Sequence, residues 1–279
     1  MGDIAIIGAG ELGGTIAHTL ARQNIAASIR LIDDRGRVAD GKALDIMQAA
    51  PVEGFATALT ASTSVSDAGG AALVVIADRA AGAEWAGEEA LQLLARLSEL
   101  TAGAVFLCAG ASQRELVDRG VSELHIDRRR LFGSAPEALA GAARALVALA
   151  VDGSPQDVAL SVVGVPPAQI VVPWEDATAA GFRLTKLIDE PTRRRLGRRI
   201  AAAWPPGPHA LAAAAAKAVD ALFGRTRAVV SCFVAPEDFG RRARTAAMPV
   251  RLGPAGISHV VLPSLDVVDR VALDNATQL

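Results

Sequence analysis

The first part of the chain alternates short, continuous apolar runs with longer segments whose apolar residues recur at helical spacing. One apolar run, DIAIIG, closes on a glycine and is followed by the helical pattern ELGGTIAHTLARQ and by ASIRLIDD, which ends on carboxylates. Two further runs, AALVVIAD and GAVFLCAG, flank the helical pattern EWAGEEALQLLARLSEL. Strands and helices in this order predict right-handed crossover units in a parallel sheet.

The pattern changes near Ser134. A long alanine-rich segment there predicts a helix, and the shorter segments DVALSVVG and QIVVPW favour antiparallel strands. We see no internal repeat and no flexible linker. We therefore expect an α/β protein with an N-terminal Rossmann domain, a doubly wound parallel sheet, over residues 1–133 and an α+β C-terminal domain over residues 134–279.

A glycine motif lies where the first predicted strand meets its helix. Gly8, Gly10 and Gly13 form G-x-G-x-x-G, and Asp33 lies 20 residues after Gly13. The glycines permit a tight turn and a close approach of pyrophosphate to the helix N-terminus. Asp33 can accept hydrogen bonds from ribose hydroxyls and would repel a 2′-phosphate, which favours NAD over NADP. The alternative is that the glycines only shape a turn in a fold that has lost its ligand.

Composition excludes several other classes of protein. Over 279 residues, 51% hydrophobic residues and a mean hydropathy of +0.33 suffice for buried cores. A net charge of −2 gives no reason to expect nucleic acid or a membrane as partner, and the arginine stretches Arg193–Arg199 and Gly240–Arg244 are interpreted as solvated faces. The distant Cys108 and Cys232 form neither a disulfide framework nor a metal signature. Without a leader or a membrane span, we expect a cytoplasmic protein.

Longer stretches are similar to a known family. The segment IRLIDDRGRVADGKALDIMQAAPVEGF, residues 29–55, resembles the second strand and following helix of malate dehydrogenases of the lactate-dehydrogenase type. Near the C-terminus, RAVVSCFVAPEDFG and MPVRLGPAGISHVVLPSL resemble that family's last three strands. The resemblance implies a Rossmann domain followed by a lactate/malate dehydrogenase-like α+β domain, NAD as cofactor, and a homo-oligomer of two or four subunits. Met47 and its neighbours are expected to be core residues.

The residues that carry catalysis in that family have no counterparts here. The resemblance places Ala109 at the family's asparagine, Gly87 at an arginine of its mobile loop, Leu139 at its aspartate and Ala142 at its carboxylate-binding arginine. The two prolines of 166–167 take the possible positions of the catalytic histidine, and proline has no proton to exchange. A positioned general base contributes about 10²–10⁴-fold to a rate, so we expect the ordinary malate or lactate reaction to be lost.

Other residues could have been recruited to the altered site. His209 precedes an alanine-rich helix that resembles the family's substrate-pocket helix, and it could reach the vacated volume, although a surface position is the simpler interpretation. Arg79 or Glu137 could likewise take part, and Trp85 and Trp174 could fill the pocket with apolar bulk. Asp78 beside Arg79 most simply forms a surface ion pair, or it places Arg79 against a pyrophosphate.

Three functions therefore remain open. The first is a catalytically degenerate family member that binds NAD(H), as a pseudoenzyme or sensor. The second is an active NAD-dependent oxidoreductase with a rebuilt site and a non-standard substrate, and the third is a cofactor-free scaffold or hetero-oligomer subunit. His209 is the only candidate catalytic replacement that we carry forward, and no metal site is expected. The predicted cofactor-binding residues are Gly8, Gly10, Glu11, Leu12, Gly13, Asp33 and Arg79.

Overall fold

The computed structural model describes residues 2–237 and 244–278. The strands are β1 Ile4–Ile7, β2 Ser28–Ile32, β3 Ala58–Ser62, β4 Leu73–Ile76, β5 Val105–Cys108, β6 Leu131–Gly133, β7 Val158–Ala159, β8 Val163–Val165, β9 Gln169–Val171, β10 Thr178–Ala179, β11 Phe182–Arg183, β12 Val230–Val234, β13 Ala246–Gly253 and β14 Gly256–Val260. The helices are α1 Glu11–Arg22, α2 Gly36–Glu53, α3 Gly87–Leu100, α4 Arg114–Ser122, α5 Ala135–Ala150, α6 Leu184–Leu187, α7 Glu190–Ala201, α8 Pro208–Leu222 and α9 Val267–Gln278.

The large sheet has a parallel half and an antiparallel half. Its order is β3-β2-β1-β4-β5-β6 followed by β12-β13-β8-β9, with β14 paired to β13. The pairs from β3 to β6 are parallel, and β12 joins β6 in antiparallel orientation. The α/β fold with a parallel Rossmann-like sheet is thereby confirmed. The parallel half ends at Gly133, next to the expected domain boundary, which stays a prediction because the sheet continues across it.

Both faces of the parallel half are covered. Along β1, Ile4 and Ile6 belong to one hydrophobic cluster and Ala5 and Ile7 to another, since successive side chains of a strand point to opposite faces. Helices α1 and α8 supply the first cluster, whereas α3 and α4 supply the second. Burial on both sides explains why these strands are continuous apolar runs rather than alternating patterns.

The exposed face of α2 differs from the expectation. Met47 was expected in the core, but it is exposed, and Leu44 and Val52 on the same helix are 61% and 89% exposed. This expectation was wrong because α2 buries only a narrow face formed by small residues and Ile46. The arginine stretch of α7 is largely at the surface, as expected, whereas residues 240–243 of the other stretch lie outside the described residues.

No helix among the described residues is both long enough and apolar enough to cross a membrane.

Candidate functional site

The glycine loop follows β1 and directs its amide groups toward Asp78, which follows β4. The N–H of Gly10 donates to the carbonyl oxygen of Asp78 at 3.0 Å. The N–H groups of Leu12 and Gly13 donate to the Asp78 carboxylate at 3.1 and 2.8 Å. The carboxylate therefore lies at the N-terminus of α1, where unpaired N–H groups and the helix dipole favour an anion.

Two of the three glycines of the motif are required by the close approach of Asp78. A Cβ atom at Gly8 would overlap the backbone carbonyl of Asp78, and one at Gly10 would overlap its carboxylate. Gly8 also has a φ of +108°, a conformation that other residues rarely adopt. The loop is thus packed against a residue of its own chain.

Two further predicted cofactor residues begin α1. The Glu11 side chain is exposed in the first turn, while the Leu12 side chain is buried in the core and only its N–H faces the loop. On α2, Lys42 donates from Nζ to the carbonyl oxygen of Gly10 and adds a positive charge beside the loop.

Asp33 follows β2, and its carboxylate turns into the protein. The side chain is only 4% exposed. Oδ2 accepts hydrogen bonds from the N–H groups of Ala9 and Ala80, both at 2.8 Å, and Oδ1 accepts one from Arg35 at 2.9 Å. Burial alone would raise the pKa of Asp33, but these N–H groups outweigh it and hold the pKa below its ordinary value. The expected ribose contact stays a prediction.

Residues 78–86, here called the hairpin segment, form a tight turn between β4 and α3. The N–H of Arg79 donates to the carbonyl oxygen of Ala83 at 2.9 Å, and Asp78 pairs with Glu84 in an isolated antiparallel bridge. Both carboxylate-bearing residues therefore lie side by side at the carboxyl end of the parallel sheet.

The second carboxylate of the hairpin segment is bound by the turn after β5. Glu84 accepts hydrogen bonds from the N–H of Ala111 at 2.9 Å and from the N–H of Ser112 at 2.8 Å. A Cβ atom at Gly110 would overlap the Glu84 carboxylate. This turn thus repeats the arrangement of the glycine loop, with backbone amides and a close glycine around a carboxylate of the same chain.

Arg79 does not pair with Asp78. Its guanidinium lies 4.0 Å from the centroid of the Trp85 ring and forms an ion pair with Glu89 of α3. The expected surface pair between Asp78 and Arg79 was therefore wrong, because successive side chains of extended backbone point to opposite sides. Arg79 thus links the hairpin segment to α3 through its ion pair with Glu89. Its expected contact with a cofactor stays a prediction.

The positions expected to carry catalysis lie partly in apolar packing. Leu139 on α5 is buried in a cluster with Val162 and Val172, and Trp174 packs against that cluster. Burying an unpaired charge in such a cluster would be costly, which fits leucine rather than aspartate at this position. Trp174 contributes apolar bulk next to Leu139, as expected, whereas Trp85 lies with Arg79 in the hairpin segment.

The other expected positions have no side chain for proton transfer or carboxylate binding. Ala109 is buried where β5 ends. Pro166 and Pro167 lie in the turn between β8 and β9. Gly87, at the expected position of a loop arginine, is the first residue of α3. Ala142 lines a cavity of about 440 Å³ between α5 and α8. His209, at the start of α8, has an exposed side chain, so its expected role in the vacated volume stays a prediction without a contact in its favour.

A buried acidic residue was not recognised as such from the sequence. Glu137 is 3% exposed and accepts ion-pair hydrogen bonds from Arg144 and Lys217 at one oxygen, while the N–H of Ser231 donates to the other at 2.8 Å. These groups line a cavity of about 640 Å³. No local pattern could reveal this network, because Lys217 and Ser231 are 80 and 94 positions away from Glu137.

Both cysteines lie in the interior of the protein. Cys108 and Cys232 are free and buried, and burial raises the pKa of both thiols. Within residues 2–237 and 244–278, no three His, Cys, Asp or Glu side chains gather into a group that could hold a metal ion.

Comparisons with known proteins point to one family. A model of the lactate/malate dehydrogenase NAD-binding domain matches residues 3–117. A malate dehydrogenase of Dehalococcoides mccartyi is 28% identical over 300 residues, covering 100% of this chain and 97% of that protein. The malate dehydrogenase of Salinibacter ruber is 24% identical, covering 97% of this chain and 92% of that protein.

Solved structures agree in fold over the same extent. The structure of malate dehydrogenase from Salinibacter ruber has a TM-score of 0.86 at 21% identity, covering 98% of this chain and 93% of that chain. The lactate dehydrogenase from Cryptosporidium parvum, solved with lactic acid and β-nicotinamide adenine dinucleotide, has a TM-score of 0.87 at 21% identity, covering 98% of this chain and 94% of that chain.

NAD is therefore the cofactor that the N-terminal domain indicates, as expected from the glycine motif. The residues described above do not fit it in this conformation, however. A pyrophosphate at the start of α1 needs the N–H groups of Leu12 and Gly13, which donate to Asp78. Ribose hydroxyls need the oxygens of Asp33, which accept from three backbone N–H groups.

Proposed function

This chain belongs to the lactate/malate dehydrogenase superfamily, and we propose that it is a catalytically degenerate member that does not oxidise 2-hydroxy acids. Its role is then that of a pseudoenzyme, which senses NAD(H) or binds a partner protein. The proposal goes beyond the relatives' names, which are those of malate dehydrogenases.

The observation that carries this proposal is the apolar environment of Leu139. Oxidation of a hydroxyl group needs a proton acceptor, a carboxylate that orients it, and a cation for the substrate carboxylate. Leu139 is packed among valines, Ala142 is uncharged, and the turn between β8 and β9 carries Pro166 and Pro167. Loss of a charge-assisted carboxylate clamp costs roughly 1.5–3 kcal/mol per hydrogen bond in addition to the missing base.

The experiment is a turnover assay by nicotinamide absorbance. Malate, oxaloacetate, lactate and pyruvate are tested with NAD⁺ or NADH, with the Salinibacter ruber malate dehydrogenase as positive control. We expect no turnover above the protein-free blank. A kcat in the ordinary enzyme range of about 1–10³ s⁻¹ on any of these substrates would contradict the proposal. Turnover only with other hydroxy or oxo compounds would instead support an oxidoreductase with a rebuilt site.

One observation favours the cofactor-free scaffold as a second candidate. Asp78 occupies the amide groups that a dinucleotide would need, so the Rossmann domain is internally complete without a ligand. Titration with NADH, followed by nicotinamide fluorescence with NADPH as control, separates the two candidates. Saturable binding that prefers NADH supports the sensor, whereas no binding up to millimolar NADH supports the scaffold.

We also propose a cytoplasmic homo-oligomer. Leu44, Met47 and Val52 give α2 an exposed apolar face, which a second copy of the chain would cover. Light scattering during size-exclusion chromatography tests this assignment. Val52→Glu should lower the measured mass to that of the monomer, whereas a wild-type monomer would contradict it. Cell fractionation with a cytoplasmic marker tests the compartment.

A further inference from the structure

We infer that the hairpin segment is an internal plug of the dinucleotide site, in which Asp78 takes the place of the pyrophosphate and controls cofactor affinity. The inference concerns binding alone and holds whether or not any substrate is turned over. The plugged site differs from a vacant or collapsed glycine loop. The N–H groups of Leu12 and Gly13 are still in place, and they donate to a carboxylate of the same chain.

Asp78 offers these groups a negative charge and acceptor oxygens, the two properties by which a phosphate would bind them. Its carboxylate accepts from two N–H groups at the start of α1, at 3.1 and 2.8 Å, and its own carbonyl accepts from Gly10 at 3.0 Å. The dipole of α1 stabilises a negative charge at this end. A pyrophosphate that approaches the loop meets occupied donors and a like charge, so it can bind only after Asp78 moves out.

The plug is held at more than one point. Glu84, at the other side of the turn, is bound by the N–H groups of Ala111 and Ser112. These amides follow β5, next to β4 in the sheet, at the carboxyl ends of the strands where ligands of such folds bind. The two carboxylates thus occupy two neighbouring turns of the site.

A third attachment lies outside the site. Arg79 stacks on Trp85 and pairs with Glu89 of α3, so the hairpin segment is tied to a rigid helix. Trp85 also packs against the core cluster beneath α3. Displacing Asp78 therefore requires movement of a fastened segment rather than rotation of one free side chain.

The effect on affinity follows from the fraction of molecules in which the plug is open. The apparent dissociation constant of a ligand equals its intrinsic constant divided by the fraction of competent molecules. If the plug is closed in about 90–99% of molecules, its removal tightens NADH binding by about 10- to 100-fold. The removal of a like charge beside the phosphates acts in the same direction.

The test compares NADH binding to purified wild type, Asp78→Ala and Asp78→Asn by nicotinamide fluorescence. Asp78→Ala removes the anion, and Asp78→Asn keeps one acceptor oxygen while removing the charge, so that it preserves more of the fold. Asp45→Asn, at an exposed carboxylate of α2, is the control for net charge. We expect about a 10- to 100-fold gain for Asp78→Ala, a smaller gain for Asp78→Asn, and no gain for the control.

A second measurement needs no assumption about affinity. In amide hydrogen exchange without ligand, Asp78→Ala should lose protection at Leu12 and Gly13, and NADH should restore it. Unchanged NADH affinity in both Asp78 variants would overturn the inference, as would equal protection of these amides in the wild type and Asp78→Ala. A failed turnover proposal would leave these results intact, because neither measurement depends on catalysis.

Discussion

Replacing Asp33 distinguishes a structural carboxylate from a ligand-binding one. In Asp33→Ala, the buried N–H of Ala9 and the half-buried N–H of Ala80 lose their acceptor, whereas Arg35 is exposed and its N–H can bind water. A buried polar group without a partner costs about 1–3 kcal/mol, so the N–H of Ala9 loses about that much and the half-buried N–H of Ala80 loses less. This loss is a large part of the roughly 5–15 kcal/mol that stabilises an ordinary domain.

The assay is urea unfolding without any dinucleotide, followed by circular dichroism. Asp33→Asn keeps one acceptor oxygen and should lose less, on the order of 1–2 kcal/mol. Asp45→Ala, at an exposed position of α2, serves as control and should change the free energy of unfolding by about 0.5 kcal/mol or less. If Asp33→Ala unfolds like the control and only NADH binding is weakened, the carboxylate is a ligand-binding group and our reasoning is wrong.

Three further predictions follow from buried groups. In the folded protein the pKa of Asp33 lies below its ordinary value of 3.8, so the ionised carboxylate stabilises the fold above that pH and this stabilisation is lost on acidification. The difference in free energy of unfolding between wild type and Asp33→Asn should therefore shrink from pH 7 to pH 3. A constant difference would contradict this. Glu137→Ala should destabilise the protein by about 1–3 kcal/mol in urea unfolding, because the partly exposed Arg144 and Lys217 lose their buried partner. Adding Lys217→Met should recover part of this loss, and no recovery would argue against the ion pair as its cause. Cys108 and Cys232 should react with a thiol reagent only when the protein unfolds, because burial shields both thiols and raises their pKa. Rapid modification under native conditions would refute this.

The parts of the fold that depend on local periodicity could be predicted from the sequence. The apolar run of β1, the amphipathic spacing of α1 and the position of Asp33 after β2 are properties of short segments, and the structure has them as expected. The exposure of Met47 could not be predicted in this way. Helical spacing shows that apolar residues share a face, but only tertiary packing decides whether another element covers it.

The contacts of the candidate site depend on distant parts of the chain. Asp78 reaches Leu12 and Gly13 across 66 and 65 positions, and Ala80 reaches Asp33 across 47. Asp78 and Arg79 are adjacent in sequence, which suggested an ion pair between them. The sequence does not show that the backbone is extended here, so that the two side chains point to opposite sides. What could be inferred was that loops after parallel strands meet at one edge of the sheet.

The glycine motif itself is compatible with two different partners. A pyrophosphate needs glycines because its oxygens must approach the backbone. The glycines here have comparable reasons: the Asp78 carboxylate lies close to Gly10, Gly8 has a positive φ, and α1 packs at Gly13 against the carbonyl of Gly8. A motif of this kind therefore predicts an anion at the helix N-terminus, not its source. In this chain a carboxylate from the loop after β4 satisfies the motif, so the retained glycines do not by themselves require a bound dinucleotide.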